Sequence, residues 1–179
     1  MVGLSDHLRP KRPSDQYPPW RNGSVDGYLL TRVLMDGGSS LNLIYSDTVR
    51  KMGIDLSRIK PSNTTFKGVI PGVEVRCSGT VTLEVVFGSP DNFRGEDLIF
   101  DIVPFRNGYH ALLGRTTFAR FNVVPHYAYL KLNMPGPKGV ITVNGNTERS
   151  LRTEEHIAAL ATDVQAAKRH RKPSLPSRR

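Results

Sequence analysis

Tyr28-Leu29-Leu30-Thr31-Arg32-Val33-Leu34-Met35, running straight into Asp36-Gly37-Gly38-Ser39-Ser40, is the stretch on which the fold of this chain turns. The first eight residues are apolar enough for a buried strand, and a buried strand that ends in a glycine turn presents its next polar residue at a cleft. That residue is Asp36. The loop is not a phosphate-binding one, because the Gly-Lys-Ser/Thr ending is missing. Downstream, Ser46 stands where it can cap a short helix over residues 47–52, with Gly53 in the stop position.

The rest of the chain alternates with a period of two. Thr64 to Val75 reads as two short β runs around Gly68, Pro71 and Gly72, a hairpin with a flexible tip. Val81, Leu83, Val85 and Phe87 alternate with Thr80, Thr82 and Glu84 and predict a strand with one buried face. Gly88 to Asn92 turns the chain, and a further strand is predicted over 97–103. Ala111-Leu112-Leu113-Gly114-Arg115 places a buried apolar pair before a glycine, followed by a helix through Phe121. Two more strands are expected near 127–132 and 139–143 with the Pro135-Gly136-Pro137 turn between them. Thr153 can cap a last helix bearing Ile157, Leu160, Ala161 and Val164 on one face.

The composition agrees with a β-rich chain. Its 179 residues and 38% hydrophobic content suffice for one core, and 13 prolines and 16 glycines argue against a helix bundle. A single cysteine, Cys77, excludes an intrachain disulfide, and no His/Cys cluster has metal-ligand spacing, so neither a structural metal nor a cofactor is expected. His110 and His126 lie beside tyrosines away from any Ser or Cys motif and read as structural. The net charge of +9 is concentrated at the ends: Lys168, Arg169, Arg171, Lys172, Arg178 and Arg179 crowd the last twelve residues, and the middle is nearly neutral. That tail could make weak, sequence-independent contact with nucleic acid, but without interleaved aromatics it offers no base stacking. No apolar run reaches membrane-span length and the start lacks a signal-peptide pattern, so a cytoplasmic, intracellular protein without membrane contact is expected. The organisation expected is a Pro-rich lead-in over 1–24, dispensable for folding, a domain over 25–146, and a helix with its basic tail or linker over 147–179.

The order of the Asp36 loop, the glycine hairpin at 68–72 and the apolar-apolar-Gly segment at 112–114 matches a retropepsin lobe. Leu34 to Ser40, Phe87-Gly88-Ser89-Pro90-Asp91-Asn92-Phe93-Arg94, Leu113-Gly114-Arg115, Val124-Pro125-His126-Tyr127 and the segment Met134 to Thr142 together resemble the protease region of gypsy-type plant retrotransposon polyproteins, over about residues 26–146. The resemblance implies a mainly β, closed retropepsin-like barrel with short helices and a C-terminal helical tail. It implies an aspartic endopeptidase that acts as a homodimer on the element's own polyprotein, in the cell or in a virus-like particle.

By that resemblance Asp36 is the catalytic acid/base, Gly37, Gly38 and Ser39 form its loop, and Gly68, Val69, Ile70, Pro71 and Gly72 form a flap. Leu112, Leu113 and Gly114 would support the loop from beneath. Hydrolysis of this kind needs two carboxylates sharing a proton, and no second Asp-Thr/Ser/Gly-Gly occurs, so each of two chains must bring one Asp36. Two departures matter. Related chains carry another apolar strand ahead of Tyr28, where this one has the Pro-rich Lys11 to Gly23, and the loss of that strand could expose an edge. They also carry Thr or Ser after the aspartate, whose hydroxyl hydrogen-bonds the partner's loop. Gly37 forgoes two such bonds per dimer, worth about 1–3 kcal/mol, which predicts a weak dimer that Gly37→Thr would strengthen. The alternative is a catalytically inactive retropepsin-like module that dimerises or binds peptide.

Overall fold

The alternation around Leu83 builds the longest ribbon in the protein. In the computed structural model, which describes residues 23–67, 74–104 and 108–145, β7 (Gly79–Ser89) pairs antiparallel with β8 (Asn92–Val103), in register from Gly79↔Ile102 to Ser89↔Asn92. Val81, Leu83, Val85 and Phe87 are buried as their spacing predicts. β8 begins five residues earlier than expected. Its first half, Asn92 to Asp97, has no buried side chain to announce it and is held as a strand by the ladder to β7.

The expected single strand over 28–35 is divided. β1 (Ser24–Val25) and β2 (Tyr28–Leu29) form a hairpin through Asp26 and Gly27, both at positive φ (50° and 78°), as a two-residue hairpin turn requires. β1 then lies on β7, with Ser24 opposite Val86. Ser24 therefore belongs to the sheet, which places a short strand ahead of Tyr28. Leu30 drops into the core, 3% exposed, and β3 (Val33–Asp36) resumes in a different place, parallel to β9 (Ala111–Gly114).

β4 (Leu43–Tyr45) lies between β8, parallel, and β9, antiparallel. The order of the seven strands is β2-β1-β7-β8-β4-β9-β3. The ladder is thus open, with β2 and β3 as its edges among the described residues, in place of the expected closed barrel. α1 (Ser46–Lys51) follows β4 directly. Tyr45, still in the strand, is its N-cap and gives no side-chain bond, so Ser46 is the first helical residue and not the cap. Gly53, at φ 62°, ends the helix region as expected. α2 (Arg115–Phe121) grows out of β9 and stops at left-handed Asn122.

β10 (Val124–His126), β11 (Lys131–Gly136) and β12 (Gly139–Asn144) make a separate antiparallel sheet. The strand expected over 127–132 is mostly a reversal. Tyr127–Tyr129 form a 3-10 turn, and Leu130, at φ 48°, turns the chain into β11. Pro135 and Gly136 are strand residues, so the hairpin turn is Pro137-Lys138. Met134 and Ile141 from this sheet join Leu83, Phe100, Leu113 and Phe121 in the main core. The Phe87 and Phe121 rings meet edge to face at 5.0 Å. Among the described residues the architecture is mainly β with two short α-helices. The C-terminal helix expected from Thr153 and the basic tail lie outside the described residues, and no described helix is long and apolar enough to cross a membrane.

Candidate active site

β3 delivers Asp36 at its last position, half-buried, opposite Gly114 in the parallel register with β9. The loop beyond folds back on the aspartate. Gly38 N–H donates to Asp36 Oδ1 at 2.9 Å, and Ser39 N–H donates to the Asp36 carbonyl at 3.2 Å. One carboxylate oxygen is thereby fixed by a backbone donor. Ser39 holds the next corner: its Oγ donates to Leu41 O at 3.1 Å and accepts from Leu41 N–H at 3.2 Å. Ser39 O in turn accepts from Arg115 N–H at 2.8 Å, which ties the loop to the first residue of α2.

The chain passes extremely close to Gly114. A Cβ there would lie 2.4 Å from Leu41 O and 2.7 Å from Ser39 O, so no residue with a side chain fits without moving main chain. Leu113 is buried and Leu112 is half-buried beside β3. Gly37 is covered from another side. A Cβ on it would meet Tyr127 Oη at 3.0 Å and Phe118 Cε2 at 3.2 Å, which puts the 127–129 turn and α2 over the residue next to the aspartate.

The residue that sequence reasoning missed is Asn42, 5% exposed. Its Oδ1 accepts from Gly114 N–H (2.9 Å), Thr117 Oγ1 (2.7 Å) and Thr116 Oγ1 (3.2 Å), while its Nδ2 donates to Ile99 O at 3.2 Å. A lone Asn inside Leu41-Asn42-Leu43-Ile44 was the available signal: a buried amide needs several partners.

The stem of the glycine hairpin is present. β5 (Thr65–Lys67) and β6 (Glu74–Arg76) pair antiparallel, Phe66 opposite Val75. Its tip, Gly68, Val69, Ile70, Pro71 and Gly72, lies outside the described residues. A cleft of about 270 Å³, more apolar than polar, opens between β3 and the β10–β12 sheet, with Val33, Met35, Leu113 and Leu132 on its walls. It reaches Met35 and stops short of Asp36.

Several other acids and bases have partners of their own. Asp26 pairs with Arg58 at 2.7 Å, Asp47 with Arg50, and Asp101, 7% exposed, accepts from Ser62 Oγ at 3.3 Å. Asp55 accepts from Ser57 N–H, and that bond draws its carboxyl below the usual range. His110 is buried, and its Nε2 accepts from Arg32 Nη2 at 3.2 Å, which requires the tautomer with the proton on Nδ1. His126 packs on the Tyr129 ring. Burial, and then the charge of Asp101, push the Cys77 thiol up. No cluster of three metal-ligating side chains occurs among the described residues.

No family model and no curated protein matches this chain. Among solved structures, it is similar to the retroviral protease-like domain of Ddi1 from Leishmania major, with a TM-score of 0.48 and 13% sequence identity, over 72% of this chain and 95% of that one.

Proposed function

We propose that this chain is a retropepsin-like aspartic endopeptidase of a plant gypsy-type retrotransposon, which cuts its own polyprotein within the cell as a homodimer. The observation that carries the reading is the Asp36 loop: a half-buried carboxylate at the end of a strand, one oxygen fixed by Gly38 N–H, the loop braced against Gly114 and Arg115. Two such loops facing each other across a two-fold axis put two carboxylates at one water. One takes the proton of the attacking water while the other, protonated, donates to the carbonyl oxygen of the scissile bond, so the pair works at acidic pH. In this reading the dyad comes from two chains, since the sequence holds no second Asp-Thr/Ser/Gly-Gly. In this reading the 64–76 hairpin closes over the peptide.

The alternative, a non-catalytic module that dimerises or binds peptide, draws on Gly37. That residue offers no hydroxyl to a partner loop, and its own surface is covered by Tyr127 and Phe118. Incubation of the purified chain with a peptide library between pH 4 and 7, with and without an active-site-directed aspartic protease inhibitor, separates the two. Inhibitor-sensitive cleavage supports the protease, whereas uncut peptides at dimer-forming concentrations favour the module.

A further inference from the structure

Asn42 stands six residues from Asp36, yet its side chain reaches β8, β9 and α2. Its oxygen gathers Gly114 N–H from β9 and the hydroxyls of Thr116 and Thr117 from α2. Its nitrogen donates to Ile99 O on β8, and its own carbonyl accepts from Asp101 N–H at 2.9 Å. Thr117 is fully buried and Asn42 almost so. A buried amide with this many partners has one orientation, and it holds whatever it bonds to that orientation.

What it holds is the seat of the loop. Gly114 lies opposite Asp36 in the β3–β9 register, and its bare Cα faces Ser39 O and Leu41 O at the closest approach in the site. We infer that Asn42 is a positioning residue for Asp36: through its amide oxygen it sets the place of Gly114, against which the 36–41 loop rests. The inference builds on the proposed aspartic protease reading, in which Asp36 does the chemistry and Asn42 never touches substrate.

A merely stabilising residue and a positioning residue differ in what they change per folded molecule. Asn42→Leu keeps the branching at Cγ in a somewhat larger side chain and removes the acceptor, leaving Gly114 N–H and two hydroxyls without it. Asn42→Asp keeps the acceptor and gives up the donation to Ile99 O. Asn42→Ala, which leaves room for water at the abandoned donors, is the variant to use should Asn42→Leu fail to fold. The measurements are kcat and KM on a cleaved peptide, and the amide proton shift of Gly38, which reports its hydrogen bond to Asp36 Oδ1.

Removal of the acceptor is expected to lower kcat on the order of 10- to 100-fold with KM nearly unchanged, since small misplacements of a reacting group cost that much. The Gly38 resonance should move, and Asn42→Asp should restore both towards wild type. Unchanged kcat per folded molecule, or an unmoved Gly38 resonance in the acceptor-less variants, overturns the inference. If wild type cuts no peptide, the protease reading is what falls, and the Gly38 resonance still decides whether Asn42 sets the loop.

Discussion

Gly114→Ala is the substitution with the most direct consequence for the loop. The added methyl carbon would lie 2.4 Å from Leu41 O and 2.7 Å from Ser39 O, both main-chain atoms that cannot rotate away. Comfortable contact begins near 3.5 Å, so β9 and the loop must separate by about 1 Å. Overpacking of this kind costs about 1–3 kcal/mol, and strain on the Gly114 N–H bond to Asn42 adds about 1 kcal/mol. At roughly 2–4 °C per kcal/mol for a chain of this size, the melting temperature should fall by roughly 4–16 °C. The same displacement carries Asp36 out of place, so peptide cleavage per folded molecule should fall on the order of 100-fold. Calorimetry and a cleavage assay on the same preparation measure both. A melting temperature within 2 °C or so of wild type, with full activity, would refute the account of the β3–β9 seat.

Three other substitutions probe separate parts of the structure. Gly37→Thr, which the missing hydroxyl suggests as an improvement, is expected to lower stability because its Cβ crowds Tyr127 Oη and Phe118; the double variant with Tyr127→Phe should recover part of the loss, and additive melting shifts would show that the two residues do not meet. Arg58 donates to Asp26 and to Thr82 O at 2.9 Å, and the Asp26 bond holds its guanidinium above the usual range; the pair is largely exposed, so Arg58→Ala should cost less than about 1 kcal/mol by urea titration, with the difference shrinking in high salt. Cys77 favours its protonated form in the fold, so its contribution is present below the ordinary thiol range and is lost as pH rises through the raised value; alkaline melting curves should fall more steeply for wild type than for Cys77→Ala, and parallel curves would remove burial as the cause.

Much of the fold was legible because period-two patterns and glycine punctuation are local. β7, the Gly53 stop, and the passage from Ala111-Leu112-Leu113-Gly114 into α2 follow from residues within a few positions of each other. Long-range choices were not legible. Leu29 and Leu30 look alike in sequence, yet the strand ends at Leu29, Leu30 joins the main core and the chain crosses from one sheet edge to the other. The first half of β8 owes its conformation to the partner strand and not to its own polar residues. Tyr127 to Leu130 has strand-like composition, yet a left-handed leucine and two exposed tyrosines reverse the chain there. At the candidate site, the Asp36 loop and Gly114 could be picked out by motif. Asn42 could not, since its worth lies in partners 57 to 75 residues away.

The central claim is that Asp36 carries peptide hydrolysis, and Asp36→Asn tests it most directly. The amide matches the carboxylate in shape and can still accept from Gly38 N–H, so the variant should keep the wild-type circular dichroism spectrum and melting temperature while losing the ability to share a proton. Wild type and variant should be compared on the same peptide library from pH 4 to 8, at concentrations where sedimentation shows dimer. The account predicts cleavage by wild type that rises towards acidic pH and is absent from the variant. Equal cleavage by a folded Asp36→Asn protein, or a wild-type rate that is flat across that pH range, would contradict it.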